Sequence, residues 1–319
     1  MSLIFQIVLP MFGLIALGFW AARYRGFSTA MVQGLSRFLG IYALPALLFS
    51  NMARADIPDP LEWAVLGSFY IAAVGVFLVA GLWMRMAGRR EQIAPIGLAS
   101  SFSNIALLGS PIIMEAYGPT VAVPVMLLIV FQSPLLFTSA TMLAETQRSA
   151  RGGRSGRSTQ ATPLRATLGA AKATLSSPLV VSVILGLAAN LTHLPIAPMV
   201  MKSFTLMAQT VLPCACFTLG ASLALSPASG AVLPATVVAL LKTGLHPLLT
   251  WLLATQVFGL PPLWVAPAVT AAALPIGINA YVFAERYNAG REVVSMSLLI
   301  STLLSPVSIS IAFMVSSAG

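Results

Sequence analysis

Along this chain, long runs of apolar residues alternate with short clusters of Arg, Gly, Pro and Asn. The runs fall at about 3–22, 34–53, 63–86, 94–116, 121–144, 174–192, 203–225, 231–257, 262–285 and 293–316. A helix needs about 20 apolar residues to cross the ~30 Å hydrocarbon layer. The pattern therefore predicts an all-α membrane protein with ten transmembrane helices. Two of the runs are interrupted. The fourth, "APIGLASSFSNIALLGSPIIMEAYG", carries Asn104, Gly109 and Pro111, and the ninth, "WVAPAVTAAALPIGINAYVFAERYN", carries Pro275, Gly277 and Asn279. Proline removes a backbone donor and clashes with the preceding turn, and glycine lowers the cost of unwinding. Both spans are expected to be broken near these residues.

The runs also repeat. "VLPMFGLIALGFWA" around Pro10 and Gly18 aligns with "SSPLVVSVILGLAA" around Pro178 and Gly186, at an offset of 168. "ALPALLFSN" from Ala43 meets "VLPCACFTL" from Val211 at the same offset. "MEAYG" and "SPLLFTSA" meet "AERYN" and "SPVSISIA" at offsets of 170 and 172. The repeat divides the chain into a first five-helix half at 1–145, a linker at 146–173 and a second half at 174–319. Five is odd, so the second half enters the membrane from the opposite side and the halves form an inverted pair. That symmetry belongs to alternating-access carriers, whose substrate sites lie at paired helix breaks.

Composition and charge sharpen this picture. Hydrophobic residues make up 58% and charged residues 8%, against about a quarter charged in a soluble domain. The net charge of +9 does not signal nucleic acid, because the basic residues are segregated by face. With ten spans, one face collects 14 of the 17, from Arg23, Arg25 and Arg37 to Arg286 and Arg291. Arg54 and Lys202 fall on the other face and Lys242 within a helix. The positive-inside rule makes the basic face cytoplasmic and puts both termini outside. The first span has no basic residue before it and Arg23 and Arg25 after it, the reverse of a secretory signal, so it is expected to remain as a helix. The Gly-, Ser- and Arg-rich linker reads as a flexible cytoplasmic loop that touches anionic lipid headgroups.

Candidate chemistry is sparse. The broken ends of the two interrupted spans expose amides and positive dipole ends that suit an anion, with Asn104 and Asn279 beside them. Lys242 lies deep in the eighth span, where a charge costs at least about 2.5 kcal/mol, so it is expected to face a cavity or a partner group and to compensate charge. Gln132 in the fifth span is a second buried polar candidate. His246 reads as packing or hydrogen bonding. All eight acids sit at span ends or in loops, which disfavours a carboxylate-based proton or sodium relay without excluding coupling through backbone carbonyls. Cys214 and Cys216 read as small hydrophobes, with no metal-ligand spacing, phosphate loop or nucleophile elbow nearby. No cofactor, metal or enzymatic activity is expected.

"YALPALLFSNMA", "SNIALLGSPIIMEAYG", "FQSPLLFTSATMLAE" and "AALPIGINAYVFAERYN" resemble the auxin efflux carrier family, which includes plant auxin exporters and bacterial malate or malonate permeases. The resemblance implies a fold like the bile acid sodium symporters, in which the fourth and ninth helices cross at their breaks inside a moving domain. It implies an organic-anion substrate beside the crossing, held by Asn104, Gly109, Pro111, Pro275, Gly277 and Asn279, with Leu47 to Asn51 facing it. Gln132 and Lys242 would form a polar support behind the crossing. The chain departs from the plant exporters at Ser103, where they carry proline, and lacks their acidic residue in the third span. Its compact central loop fits a bacterial inner-membrane member. The resulting expectation is a carrier of malate, malonate or an auxin-like acid. A cation-coupled symporter and a channel-like or receptor protein stand as alternatives, and the oligomeric state is open, a homodimer included.

Overall fold

The computed structural model describes residues 2–55, 57, 61–151, 178–225 and 231–317. Among them it is helical, with one isolated two-residue bridge and no strand. We number the helices α1 (Ser2–Tyr24), α2 (Thr29–Ala53), α3 (Ala64–Met86), α4 (Ile93–Ser101), α5 (Ile105–Tyr117) and α6 (Pro119–Gln147). Further along the chain come α7 (Pro178–Leu191), α8 (Pro198–Leu225), α9 (Val232–Val257), α10 (Pro262–Ala273), α11 (Ile278–Tyr287) and α12 (Arg291–Ser317). Six of these are long and apolar enough to cross a bilayer by themselves, namely α2, α3, α6, α8, α9 and α12. Shorter apolar helices lie in the first, fourth, sixth and ninth expected spans. Large apolar side chains such as Leu78, Leu82, Leu233 and Met199 are exposed around the outside, as lipid-facing residues should be. The chain is a multi-pass membrane protein.

The helix at the end of α6 continues to Arg151, into the stretch expected as linker. The rest of that linker lies outside the described residues, as do Asp56 and Asp59.

Three prolines are absorbed locally rather than by breaking a helix. Wide π turns at Leu39–Ala43, Ile105–Gly109 and Leu241–Leu245 each end two residues before a proline: Pro45, Pro111 and Pro247. A shift to longer hydrogen bonds carries the upstream carbonyl away from the pyrrolidine ring, which relieves the clash an α-helix would suffer. At Pro111 the hydroxyl of Ser110 supplies a replacement donor, 2.8 Å from the carbonyl of Ala106. The fourth span is therefore not unwound at Gly109–Pro111, as the sequence suggested. Its break lies earlier, at Phe102–Asn104, between α4 and α5. The ninth span breaks where expected, at Leu274–Gly277.

Two close helix pairs anchor one side of the molecule. α1 packs on the C-terminal half of α8, and α7 on the C-terminal half of α2. Each contact is made through a glycine. A Cβ on Gly18 would fall 2.0 Å from the carbonyl oxygen of Phe217, and one on Gly186 would fall 2.8 Å from that of Phe49. Small residues allow such backbone approach, which is how helices associate where lipid supplies no hydrophobic drive. Gly18 and Gly186 stand 168 residues apart, and so do Phe49 and Phe217. The remaining helices pack with one another, α3 on α4, α9 on α12 and α10 on both α9 and α12.

Candidate functional site

The two helix breaks meet. Ser103 and Ile276 form an antiparallel bridge, in which the amide of Asn104 donates to the carbonyl of Pro275 and the amide of Gly277 donates to the carbonyl of Phe102, each at 3.0 Å. Unwound backbone at membrane depth must find partners within the protein. Here each break supplies them to the other. Gly277 is required by proximity rather than by its φ of −72°, since a Cβ there would lie 2.7 Å from the ring of Phe102. Gly109 is similarly pressed on Leu274, whose Cδ1 would be 2.3 Å from an added Cβ.

Side chains from three other helices complete the accounting. Gln132 in α6 donates from Nε2 to the carbonyl of Ser103 at 2.8 Å. Ser301 in α12 accepts from the amide of Ile276 at 3.2 Å. Lys242 in α9, fully buried, donates to the carbonyls of Ala272 and Leu274, the latter at 2.9 Å. Those carbonyls form the C-terminal, negative end of α10, where a cation is favoured. His246, one turn on and also fully buried, packs with its ring centroid 4.9 Å from that of Phe69.

A cavity of 440 Å³ opens beside the crossing, lined by both breaks and by residues of α2, α6, α7, α8 and α11. Asn104, Gln132, Gly277 and Asn279 line it, and among the described residues its wall holds no charged side chain. The first turns of α5 and α11 leave amides without intrahelical bonds, and Ala106, Leu107, Ile278 and Asn279 from those turns line this space. Ser103 is a lining residue that the sequence marked only as a departure from a family proline; its hydroxyl is buried without a partner. Thr218 and Ser222 of α8 also line the cavity and carried no sequence signal of their own.

Leu47, Asn51 and Pro111 lie elsewhere. They line a second cavity of 430 Å³ between α2, α5 and the first part of α8, together with Ser50, Arg54 and Glu115. Four lining positions of one cavity recur in the other at a constant sequence offset. Leu47, Ser50, Asn51 and Arg54 line the second, and Ala215, Thr218, Leu219 and Ser222, each 168 residues later, line the first. Pro275, Gly109 and Lys242 line neither cavity and instead build the crossing itself. Among the described residues no group of His, Cys, Asp and Glu could hold a metal ion.

Residues 3–313 match the family described as membrane transport protein. The chain belongs to that family, the auxin efflux carriers. It is 32% identical to a Rhizobium meliloti (strain 1021) protein named "Putative malonate transporter", over 96% of this chain and 93% of the relative. A shorter stretch is 33% identical to the mouse (Mus musculus) lysosomal cholesterol signaling protein, covering 37% of this chain and 14% of that one. The family membership makes the chain a membrane transporter; the broken helices and their shared cavity are therefore features of a transport protein.

Proposed function

We propose that this family member is a secondary carrier of small organic anions, with malonate or malate first, in a bacterial inner membrane. The observation that carries this reading is the cavity beside the crossing. It gathers Asn104, Asn279, Ser103 and two helix N-termini around a space that no carboxylate lines among the described residues. Neutral donors and dipole ends attract an anion without a fixed counter-charge, so the anion is bound and also released, as turnover requires. The relative named for malonate supports a dicarboxylate. The apolar part of the same wall, Leu39, Leu44, Ile129 and Leu219 among it, suits the ring of an auxin-like acid as the second choice.

The paired geometry supports ten spans arranged as two inverted five-helix halves. Gly18 meets Phe217 while its counterpart Gly186 meets the counterpart Phe49, a reciprocity that a two-fold axis in the membrane plane produces. Two cavities lined by equivalent residues then represent the two access routes. α1, α2, α7 and α8 would form the fixed scaffold and the crossing the moving, elevator-like part. On this reading both termini are periplasmic and the basic central loop is cytoplasmic. Lys242 and Gln132 act as support: the ammonium neutralises the end of α10 and the amide holds Ser103. Because the carbonyls of Ala272 and Leu274 already bind an ammonium, sodium coupling at that spot is disfavoured.

The test is saturable uptake of labelled malonate by the purified protein in liposomes. Asn279→Ala is expected to reduce uptake at least about tenfold with unchanged thermal unfolding, since a charge-assisted hydrogen bond contributes about 1.5–3 kcal/mol. Flux that never saturates would support the channel reading, and transport unaffected by Asn279→Ala would remove Asn279 from the site. Uptake that follows an imposed sodium or proton gradient would favour the coupled symporter.

A further inference from the structure

Away from the crossing, at the ends of the spans, lies a larger cavity of 930 Å³ that no transport role has absorbed. Its floor is the beginning of α12, whose first intrahelical bond runs from the amide of Val294 to the carbonyl of Gly290 at 2.9 Å. The amides of Arg291, Glu292 and Val293 precede that bond, and all three residues line the cavity. Two arginines border it, Arg89 from the turn after α3 and Arg291 from α12 itself.

Two side chains in the wall point independently to a ligand. Ser295 is only 5% exposed, lines the cavity, and its hydroxyl has no hydrogen-bond partner among the described residues. Gln92 also lines it and carries a buried side-chain oxygen with no partner. The unpaired Gln92 oxygen is costly to bury, and it and the Ser295 hydroxyl would both be satisfied by an anion that also offers a hydroxyl. The competing charges are weak. Arg291 reaches Glu285 only at 3.8 Å and Asn288 at 3.4 Å, both at the exposed surface. Glu292, also exposed, is the one acid in the lining among the described residues.

The geometry points to a phosphate-binding site here, with Arg89, Arg291, the Ser295 hydroxyl and the α12 amides as donors, and Gln92 accepting from a ligand hydroxyl. A carboxylate would use fewer of these donors, whereas the three outer oxygens of a phosphate match a helix N-terminus flanked by two guanidinium groups. The group could be carried by an anionic phospholipid or by a soluble phosphate; basic pockets between membrane helices on the cytoplasmic side commonly hold lipid headgroups. The site is separate from the substrate cavity and stands whether or not the carried anion is malonate.

Thermal unfolding of the full-length protein in a neutral detergent tests this, titrated with inorganic phosphate and, separately, with phosphatidylglycerol or phosphatidylcholine in mixed micelles. A ligand that binds only the folded state raises the unfolding temperature by mass action. Phosphatidylglycerol should stabilise the native sequence and phosphatidylcholine should not. In Arg89→Gln and in Ser295→Ala the half-saturating concentration should rise at least about tenfold, the loss of one charge-assisted hydrogen bond. Asn279→Ala should titrate like the native sequence. Stabilisation by free phosphate as well assigns a soluble phosphate ligand, and stabilisation by phosphatidylglycerol alone assigns a headgroup. If neither probe stabilises the protein, or if Arg89→Gln and Ser295→Ala respond as the native sequence does, the site does not exist.

Discussion

Replacing Gly220 by alanine should loosen the joint between α1 and α8. A Cβ at this position would lie 1.8 Å from the carbonyl oxygen of Ile15 and 2.7 Å from its carbon, where real contacts need at least 3.0 Å. Both neighbours are backbone atoms of a helix, so no rotamer change relieves the overlap and the helices must part. Widening a packed interface by about 1 Å forfeits a quarter to a half of each dispersion contact along it. Overpacking of this kind costs about 3 kcal/mol, the upper end of the usual range, because the obstruction is rigid. Against this, alanine improves helix propensity by about 1 kcal/mol. The net loss is about 2 kcal/mol. Gly13→Ala in α1 is the matched control, since nothing lies within 4 Å of its added Cβ and only the propensity gain remains. Apparent unfolding temperatures of the purified variants, measured at one scan rate, should place Gly220→Ala below the native protein and Gly13→Ala at or above it. If Gly220→Ala proves as stable as Gly13→Ala, the close approach of α1 and α8 is wrong, and with it the reciprocal packing attributed to the repeat.

Other expectations are narrower. Asn279→Asp, nearly isosteric but anionic, should impair malonate uptake in liposomes more than Asn279→Ala does; the opposite order would mean that the amide only caps α11. Gln132→Leu leaves the buried Ser103 carbonyl without its donor and should lower stability by about 1–3 kcal/mol, visible in thermal unfolding, while Gln132→Glu should also weaken uptake. In a protein with Cys214 replaced by serine, the variants Leu47→Cys and Ala215→Cys should react with a membrane-impermeant thiol reagent from opposite sides of the bilayer. Labelling of both from one side would refute the two-route reading.

How much of this was legible beforehand differs between fold and site. Long apolar runs are a local property, set by the need to cross about 30 Å of hydrocarbon, and the six helices long enough to cross by themselves each fall on one of them. The ninth-span break could also be read locally, because Pro275 and Gly277 sit within it. The fourth-span break could not. Pro111 is accommodated by a π turn and the Ser110 hydroxyl, and the actual opening at Phe102–Asn104 exists because the other break supplies its hydrogen-bond partners. The place of Ser103 and Thr218 in the cavity wall was hidden for the same reason, since nothing next to them in the chain reports a shared cavity.

The sequence by itself determined that the chain lives in a membrane, that short segments of its apolar runs recur at offsets of 168 to 172, and that two spans carry interruptions. Those are consequences of solvent and of one-dimensional pattern. The tertiary structure alone decided that the interruptions pair with each other, that Lys242 reaches the carbonyls of Ala272 and Leu274, and that Leu47 and Asn51 lie in a different cavity from Asn104 and Asn279. The physical reason is that an unwound segment in the membrane is stable only when distant parts of the chain satisfy its backbone, and which parts do so is settled by packing rather than by residues nearby.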